Sequence, residues 1–195
     1  MNSTFLKEAE ASATRGLQDH IQVFQSLVSQ SGTIASISAM MVKALKSGHK
    51  VIVFGNGGSA ADSQHFAGEL IGRFYHQRAA LPVIALTTNT SNLTAIANDY
   101  DYSEVFARQL EALGQPGDVA IGLSTSGRSA NVLKALKLAK TRSLMTIALT
   151  GQAGGPMQEI SDICLAVPST DTPRIQEAHI AAIHLICQIV EREWV

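Results

Sequence analysis

The apolar positions of this chain follow two patterns. Over residues 3–30, Phe5, Leu6, Ala9, Leu17, Ile21, Phe24 and Leu27 recur among polar residues at helical spacing. Residues 33–46 repeat the pattern with Ile34, Ile37, Met40, Met41, Ala44 and Leu45, and Gly48 stands where a helix would close. The period then changes. Short unbroken apolar runs at 51–54 (VIVF), 81–86 (LPVIAL), 119–123 (VAIGL), 144–150 (LMTIALT) and 163–168 (ICLAVP) read as strands buried on both faces. Helical segments are expected between them at 60–71, in a short stretch ending near Asn98 and Asp99, at 102–113 and at 130–140. A final helix is expected over 173–193, with Pro173 in its first turn and Asp171 or Thr172 as its cap. Residues 114–118 (GQPGD) read as a turn and 151–156 (GQAGGP) as a glycine-rich loop. Alternating strands and helices predict an α/β fold. Its core is an open, mostly parallel five-stranded sheet covered by helices on both faces, preceded by N-terminal helices.

Length and composition narrow this only slightly. The 195 residues suit one domain, with N-terminal helices over 1–48 and an α/β core over 49–195. A hydrophobic share of 46% and a net charge of −1 give no electrostatic case for nucleic acid or a membrane surface. Cys164 and Cys187 lie in apolar runs without metal-site spacing, as buried thiols in a reducing compartment would. No signal-peptide pattern and no apolar run of spanning length is visible, so the expected location is the cytoplasm.

The chemistry concentrates at 50–74, KVIVFGNGGSAADSQHFAGELIGRF. A buried strand runs straight into Gly55, Asn56, Gly57 and Gly58, a run that permits positive φ and close backbone approach to a ligand. Ser59 suits a helix N-cap, and Asp62 follows three residues later, as in a capping box. The first turn of such a helix attracts an anion. His65 and Glu69 then share one helix face. This spacing also suits a plain solvated pair, and the loop matches neither the phosphate-binding Walker sequence nor the dinucleotide fingerprint.

The same arrangement recurs after the third strand. Ser124, Thr125, Ser126, Gly127, Arg128 and Ser129 lie between a buried strand and a helix, where open parallel sheets bind ligands. Hydroxyls, loop N–H groups and a helix N-terminus together predict a phosphate cradle. The last helix adds Gln176, Glu177, His179 and His184, the latter in an apolar run where a core histidine is the ordinary explanation.

Taken in order, the blocks GNGGSAADSQHFAGEL, ANDY, LSTSGRSANV, ALTG and RIQEAHIAAIH resemble a phosphosugar-binding sugar isomerase (SIS) domain, and within it the phosphoheptose isomerases. The resemblance covers nearly the whole chain. It implies interconversion of sedoheptulose 7-phosphate and D-glycero-D-manno-heptose 7-phosphate, the opening step of bacterial heptose synthesis for lipopolysaccharide. It places Asn56, Gly57, Gly58 and Ser59 in the substrate site, Ser124, Thr125, Ser126 and Ser129 at the phosphate, and Asn98 and Asp99 at the sugar. His65, Glu69, Gln176 and His184 match zinc-binding positions, and Glu69 and Gln176 also touch substrate. One departure stands out: Arg128 replaces the asparagine usual in the family's STSGNS, which touches the detail of phosphate contact.

A ketose-to-aldose shift moves one proton between carbons and one between oxygens, and a carboxylate with an imidazole can do this through an enediol. Glu69 is therefore assigned as the base and His184 as its acid–base partner, with zinc holding these groups or polarising the carbonyl. Glutamine is an unusual zinc ligand beside the histidines and the carboxylate. The alternative is a SIS paralogue that binds the bacterial replication initiator protein and lacks this chemistry. The presence of both Glu69 and His184 favours the enzyme. The resemblance also implies a homotetramer. Gln176 and His184 sit eight residues apart, roughly 12 Å along a helix axis, a spacing that predicts active sites shared between subunits.

Overall fold

Five short strands form one sheet: β1 Val51–Gly55, β2 Val83–Ala85, β3 Val119–Ser124, β4 Met145–Thr150 and β5 Ile163–Ala166. The structure is a computed structural model and describes residues 3–152 and 154–195. The strand order is β2-β1-β3-β4-β5, and every neighbouring pair is parallel. The expected sheet is thus present with all its pairs parallel. β2 is shorter than the apolar run at 81–86 because Pro82 has no N–H to give; its carbonyl accepts from Val51 N–H at 3.0 Å.

The apolar runs serve two cores, because successive side chains of a strand point to opposite faces. Val51, Val53, Val119, Ile121, Leu123, Ile147 and Leu149 pack on one face, under helices α1 (Ser3–Leu27), α2 (Ser31–Lys46), α3 (Gly58–Ile71) and α8 (Thr172–Glu191). Ile52, Phe54, Ala120 and Ala148 pack on the other, under α5 (Val105–Leu113), α6 (Ala130–Thr141) and α7 (Gly155–Ile160). The short α4 (Thr90–Asp99) precedes α5 and buries no residue fully. The N-terminal pair behaves unevenly. α2 buries Ile34, Ile37, Met41 and Leu45, whereas α1 buries only Val23 and Leu27 and leaves Phe5, Leu6, Leu17 and Ile21 exposed.

Three local expectations change. Helix α3 begins at Gly58, with Gly57 at the cap position in a positive-φ conformation (φ 57°). Ser59 is therefore inside the first turn and buried, so it does not form the expected capping box with Asp62. The glycine-rich stretch at 151–156 falls partly on residue 153, outside the described residues, and its last two positions already belong to α7. That short helix starts after Gly154 with Pro156 in its first turn and buries Met157. The last helix ends at Glu191 and continues as a tighter turn over Arg192–Trp194. Asp171 sits at its cap position but its carboxylate makes no capping bond.

Topology fixes where a ligand can bind. From β1 the chain crosses to β2 through α3 on one face, and from β3 onward it moves the opposite way with helices on the other face. Right-handed crossovers require that change of face. The direction reverses between β1 and β3, so their C-terminal ends open a crevice there. The register pairs Gly55 with Leu123. The glycine loop and the serine loop, far apart in sequence, therefore leave the sheet side by side.

Candidate active site

The two loops are stitched together at the crevice. Asn56 and Asn131 form a reciprocal amide pair, each Nδ2 donating to the other's Oδ1 at 2.9 Å. The Tyr102 hydroxyl donates to Asn56 Oδ1 at 3.3 Å and brings the segment after Asn98 and Asp99 to the same corner. Asn98 and Asp99 are exposed at the end of α4, with Asn98 Nδ2 donating to Asp99 Oδ1. Tyr102 carries no motif signal, and Asn131, though it falls within the block LSTSGRSANV, is assigned no role by the sequence. Asn131 is the second residue of the helix after the serine loop, and nothing local to it signals the pairing with Asn56.

The serine loop turns its hydroxyls toward each other. Ser124 Oγ lies 2.8 Å from Ser129 Oγ and 3.3 Å from Ser126 Oγ. Ser129 is at the cap position of α6 but its side chain makes no capping bond, and α3 likewise begins without one. By contrast α4 is capped by Asn89, which accepts from Asn92 N–H. Neither helix that opens on the crevice is capped by the side chain at its cap position, which favours an anion at the first turn, although in α6 the Asn131 Oδ1 accepts from the Val132 N–H at 2.9 Å. Gly127 adopts φ +63° and packs on the next loop, where an added Cβ would stand 2.2 Å from the Gly154 carbonyl oxygen. Thr125 is half-buried and Arg128 exposed, its N–H donating to Ser126 Oγ.

Helices α3 and α8 lie side by side and run the same way. At their lower ends the Gln176 amide rests on Gly58. Higher up, His65 Nε2 faces His184 Nε2 at 2.8 Å and Glu69 Oε1 at 3.2 Å. One ligand atom from each of His65, Glu69 and His184 lies within 4.8 Å of the others. Phe74 stacks beside His184 with ring centroids 5.8 Å apart. His184 is half-buried at the edge of the core rather than inside it. The structure thus brings together three of the four expected ligands in one chain and sets Gln176 at the loop. The Glu69–His184 pair needs no second copy, so the spacing of Gln176 and His184 reflects two contacts at two heights of α3.

The upper ends of the two helices are bolted. Arg78 donates to the carbonyls of Glu69 (3.0 Å), Leu70 (2.7 Å) and Gly72 (3.2 Å), capping α3 at the turn that carries Glu69. Its Nε lies 3.4 Å from Glu191 Oε1 of α8, and both side chains are fully buried. Glu191 also accepts from the backbone N–H groups of Phe74, Tyr75 and His76. Burial pushes the Glu191 carboxyl up, but those donors and Arg78 outweigh it and hold the group below its usual range. Beneath, burial and then the nearby Glu69 carboxylate push the Cys187 thiol strongly up, so it stays protonated. Asp62, one turn before His65, is raised to about 6 by burial, opposed by His65, and its Oδ2 has no partner among the described residues. Sequence reasoning found neither the Arg78–Glu191 bolt nor the unpartnered Asp62, because each depends on which side chains the fold buries.

Two imidazole nitrogens facing each other at 2.8 Å need a proton or a cation between them. With the Glu69 oxygen beside them, the donor set fits a metal ion.

Residues 17–151 match the SIS domain family. The phosphoheptose isomerase of Aliarcobacter butzleri is 59% identical over 156 residues, 80% of this chain and 82% of that one. Two solved structures have the same fold over 94% of this chain. The phosphoheptose isomerase GmhA of Neisseria gonorrhoeae is 40% identical, with a TM-score of 0.90 over 99% of its chain. A phosphoheptose isomerase of Francisella tularensis is 36% identical, with a TM-score of 0.92 over 98% of its chain.

Proposed function

The chain belongs to the SIS-domain family, and we propose that it is a phosphoheptose isomerase, converting sedoheptulose 7-phosphate to D-glycero-D-manno-heptose 7-phosphate for heptose and lipopolysaccharide precursors. The observation that carries this reading is the convergence of His65, Glu69 and His184 within 4.8 Å, on α3, which rises from the glycine loop, and on α8 beside it.

In this reading the phosphate lies on the hydroxyls of Ser124, Thr125, Ser126 and Ser129 and on the N–H groups at the start of α6. Asn56, Gly57, Gly58 and Ser59 line the sugar's path with Asn98 and Asp99, and Gln176 meets the substrate where its amide lies on Gly58. The reacting carbons lie at the carboxylate–imidazole cluster. Glu69 takes a hydrogen from C1 as a proton, leaving an enediol, and returns it at C2. His184 moves the hydroxyl proton from O1 to O2. Carbon and oxygen protons balance, and no redox partner is needed.

We propose zinc as the metal, one per subunit, held by His65, Glu69 and His184 with Gln176 as a fourth ligand if its side chain turns up α8. Zinc bound there would polarise the substrate carbonyl. The whole chain, residues 1–195, acts as one domain, and the protein works in the cytoplasm as a homo-oligomer, a tetramer, without nucleic acid or membrane partners. Two facts support parts of this. No helix among the described residues is long and apolar enough to cross a membrane. Phe5, Leu6, Leu17 and Ile21 of α1 and Leu185 of α8 leave an apolar stripe for neighbouring copies to cover. Those copies would border the open site and share it through residues other than the Glu69–His184 pair.

The test is direct. Purified protein incubated with sedoheptulose 7-phosphate, with and without added zinc, should form the aldose. Glu69→Gln should lower turnover by at least about a hundredfold with KM little changed. No aldose under either condition would overturn the reading, and near-normal turnover in the variant would remove Glu69 from the mechanism.

A further inference from the structure

His179 lies five residues before His184 on α8 and is completely buried. Its neighbours along the helix at core spacing are Ile175, Ala178, Ala182 and Ile183, all buried. An aliphatic side chain would fill this position without desolvating a polar ring. The ring instead makes one hydrogen bond, Nε2 to the carbonyl of Thr150 at 3.1 Å. A carbonyl only accepts, so Nε2 carries the hydrogen. Nδ1 is then a buried acceptor, without a partner among the described residues. Leaving such an acceptor unpaired opposes folding, so filling the core is a poor reason for a histidine here.

The hydrogen bond leads to the crevice. The Thr150 carbonyl belongs to the same peptide unit as the Gly151 N–H. That N–H donates to the Thr125 carbonyl of the serine loop at 3.1 Å. The peptide is therefore gripped at both ends, by His179 and Val167 N–H on the carbonyl and by Thr125 on the N–H. The fit is tight. A Cβ on Gly151 would stand 2.5 Å from the Thr125 carbonyl oxygen and 2.7 Å from Ile175 of α8.

Resting on the phosphate-site reading above, we propose that His179 is a positioning residue for the anion loop. Its Nε2–H fixes the Thr150–Gly151 peptide, which in turn fixes Thr125 and the hydroxyls on either side of it. The same helix that brings His184 to the reacting end of the substrate thereby also sets the phosphate end. Burial holds the ring neutral, lowering its pKa to about 4 against the pull of the Thr150 carbonyl, so the donor stays in the one form that suits this bond.

The test compares His179→Leu, His179→Gln and His179→Asn. Glutamine extends an N–H donor to about the reach of Nε2, whereas asparagine stops near Nδ1. Binding of inorganic phosphate by calorimetry is measured beside KM and kcat for sedoheptulose 7-phosphate and the melting temperature. The expected result is phosphate binding and KM weakened about tenfold in the leucine and asparagine variants, the equivalent of one lost hydrogen bond. In both, kcat stays within about threefold of the parent, and glutamine restores affinity. If leucine prevents folding, the glutamine–asparagine pair gives the same comparison. Unchanged phosphate affinity in a folded asparagine or leucine variant would overturn the proposal, as would a fall in kcat alone or failure of glutamine to rescue. Phosphate binding does not depend on turnover. A parent that binds phosphate but does not isomerise the sugar would sink the enzymatic reading while leaving this comparison intact, and a parent that binds neither phosphate nor sugar phosphate would sink both.

Discussion

Gly58→Ala separates function from stability at the foot of the site. Gly58 is the first residue of α3 and has no positive φ, so alanine suits its backbone. In a helix interior alanine is favoured over glycine by about 1 kcal/mol, and at a first turn by less. The added Cβ, however, would stand 2.4 Å from Gln176 Nε2 and 2.8 Å from its Cδ. Ordinary contact needs about 3.5 Å or more, so the amide must retreat by about 1 Å. Gln176 is half-buried on a long side chain and can do so at small cost. A displacement of about 1 Å at a group that positions substrate costs about a hundredfold in rate.

The expected outcome is therefore a melting temperature equal to or above the parent's, together with kcat/KM reduced ten- to a hundredfold, about 1.4–3 kcal/mol of transition-state stabilisation. The new methyl group could also block the loop directly. Gln176→Ala and the double variant Gly58→Ala with Gln176→Ala distinguish the causes. If the methyl acts by displacing Gln176, the double variant should be no worse than Gln176→Ala alone, because the displaced group is already gone. Full activity in Gly58→Ala would refute the idea that Gln176 meets the substrate at this loop. Additive losses would assign the effect to the methyl group itself.

Gly127→Ala should behave in the opposite way, because its Cβ meets the backbone of Gly154 at 2.2 Å and its φ is +63°. A loss of more than about 2 kcal/mol in urea unfolding is expected, and a variant as stable as the parent would refute the packing of these loops. Arg128→Asn should raise KM several-fold at low ionic strength and much less at high salt if the exposed guanidinium reaches the bound phosphate; an unchanged KM at low salt would leave Arg128 facing solvent. The folded His179 titrates at about 4 instead of 6.5, so below 6.5 the unfolded chain takes up a proton that the folded one refuses. Stability should then fall as pH drops through that window, by about 2 kcal/mol near pH 5 relative to pH 7. Asp62 acts with the other sign between 3.8 and about 6, because there the folded state holds the extra proton. Unfolding of the parent against His179→Gln isolates the histidine, and parallel pH profiles would refute its buried, neutral state.

What could be read from the sequence was whatever lies within one element or one loop. The five apolar runs gave the five strands because the inner strands β1, β3 and β4 are buried on both faces and the edge strands β2 and β5 partly so, which needs no polar alternation to reveal it. Both ligand loops were legible because each follows a strand directly and opens a helix. His65 and Glu69 were legible as a pair because a helix places them on one face. Its own neighbours ranked His184 only beside a core histidine, since they describe α8 and not what α8 packs on; the family resemblance alone gave it a role. The mistaken capping box has a physical cause: Gly57 bends the chain early, and a serine two residues later is drawn into the first turn. The pairings of Asn131, Arg78 and Glu191 were invisible because their partners lie 75, 9 and 113–117 residues away.

The His65–Glu69–His184 cluster stands on two parallel helices, and parallel helices have no intrinsic reason to keep their axial register. Apolar packing alone tolerates small slips, whereas His65, Glu69 and His184 tolerate very little. The chain answers this with polar contacts at both ends. Below, Gln176 abuts Gly58. Above, the Arg78 guanidinium takes the carbonyls that end α3, Glu69 among them, and pairs with Glu191 of α8. A fully buried ion pair is a poor stabiliser, since desolvation offsets most of its attraction. Here Glu191 accepts from three backbone N–H groups and Arg78 donates to four carbonyls, while Arg78 Nε, 3.4 Å from Glu191 Oε1, makes no hydrogen bond among the described residues. Such a pair is better understood as fixing register than as strengthening the core. It holds the turn that carries Glu69 against the helix that carries His184, and the proposed acid–base pair would need that register held to a fraction of an ångström.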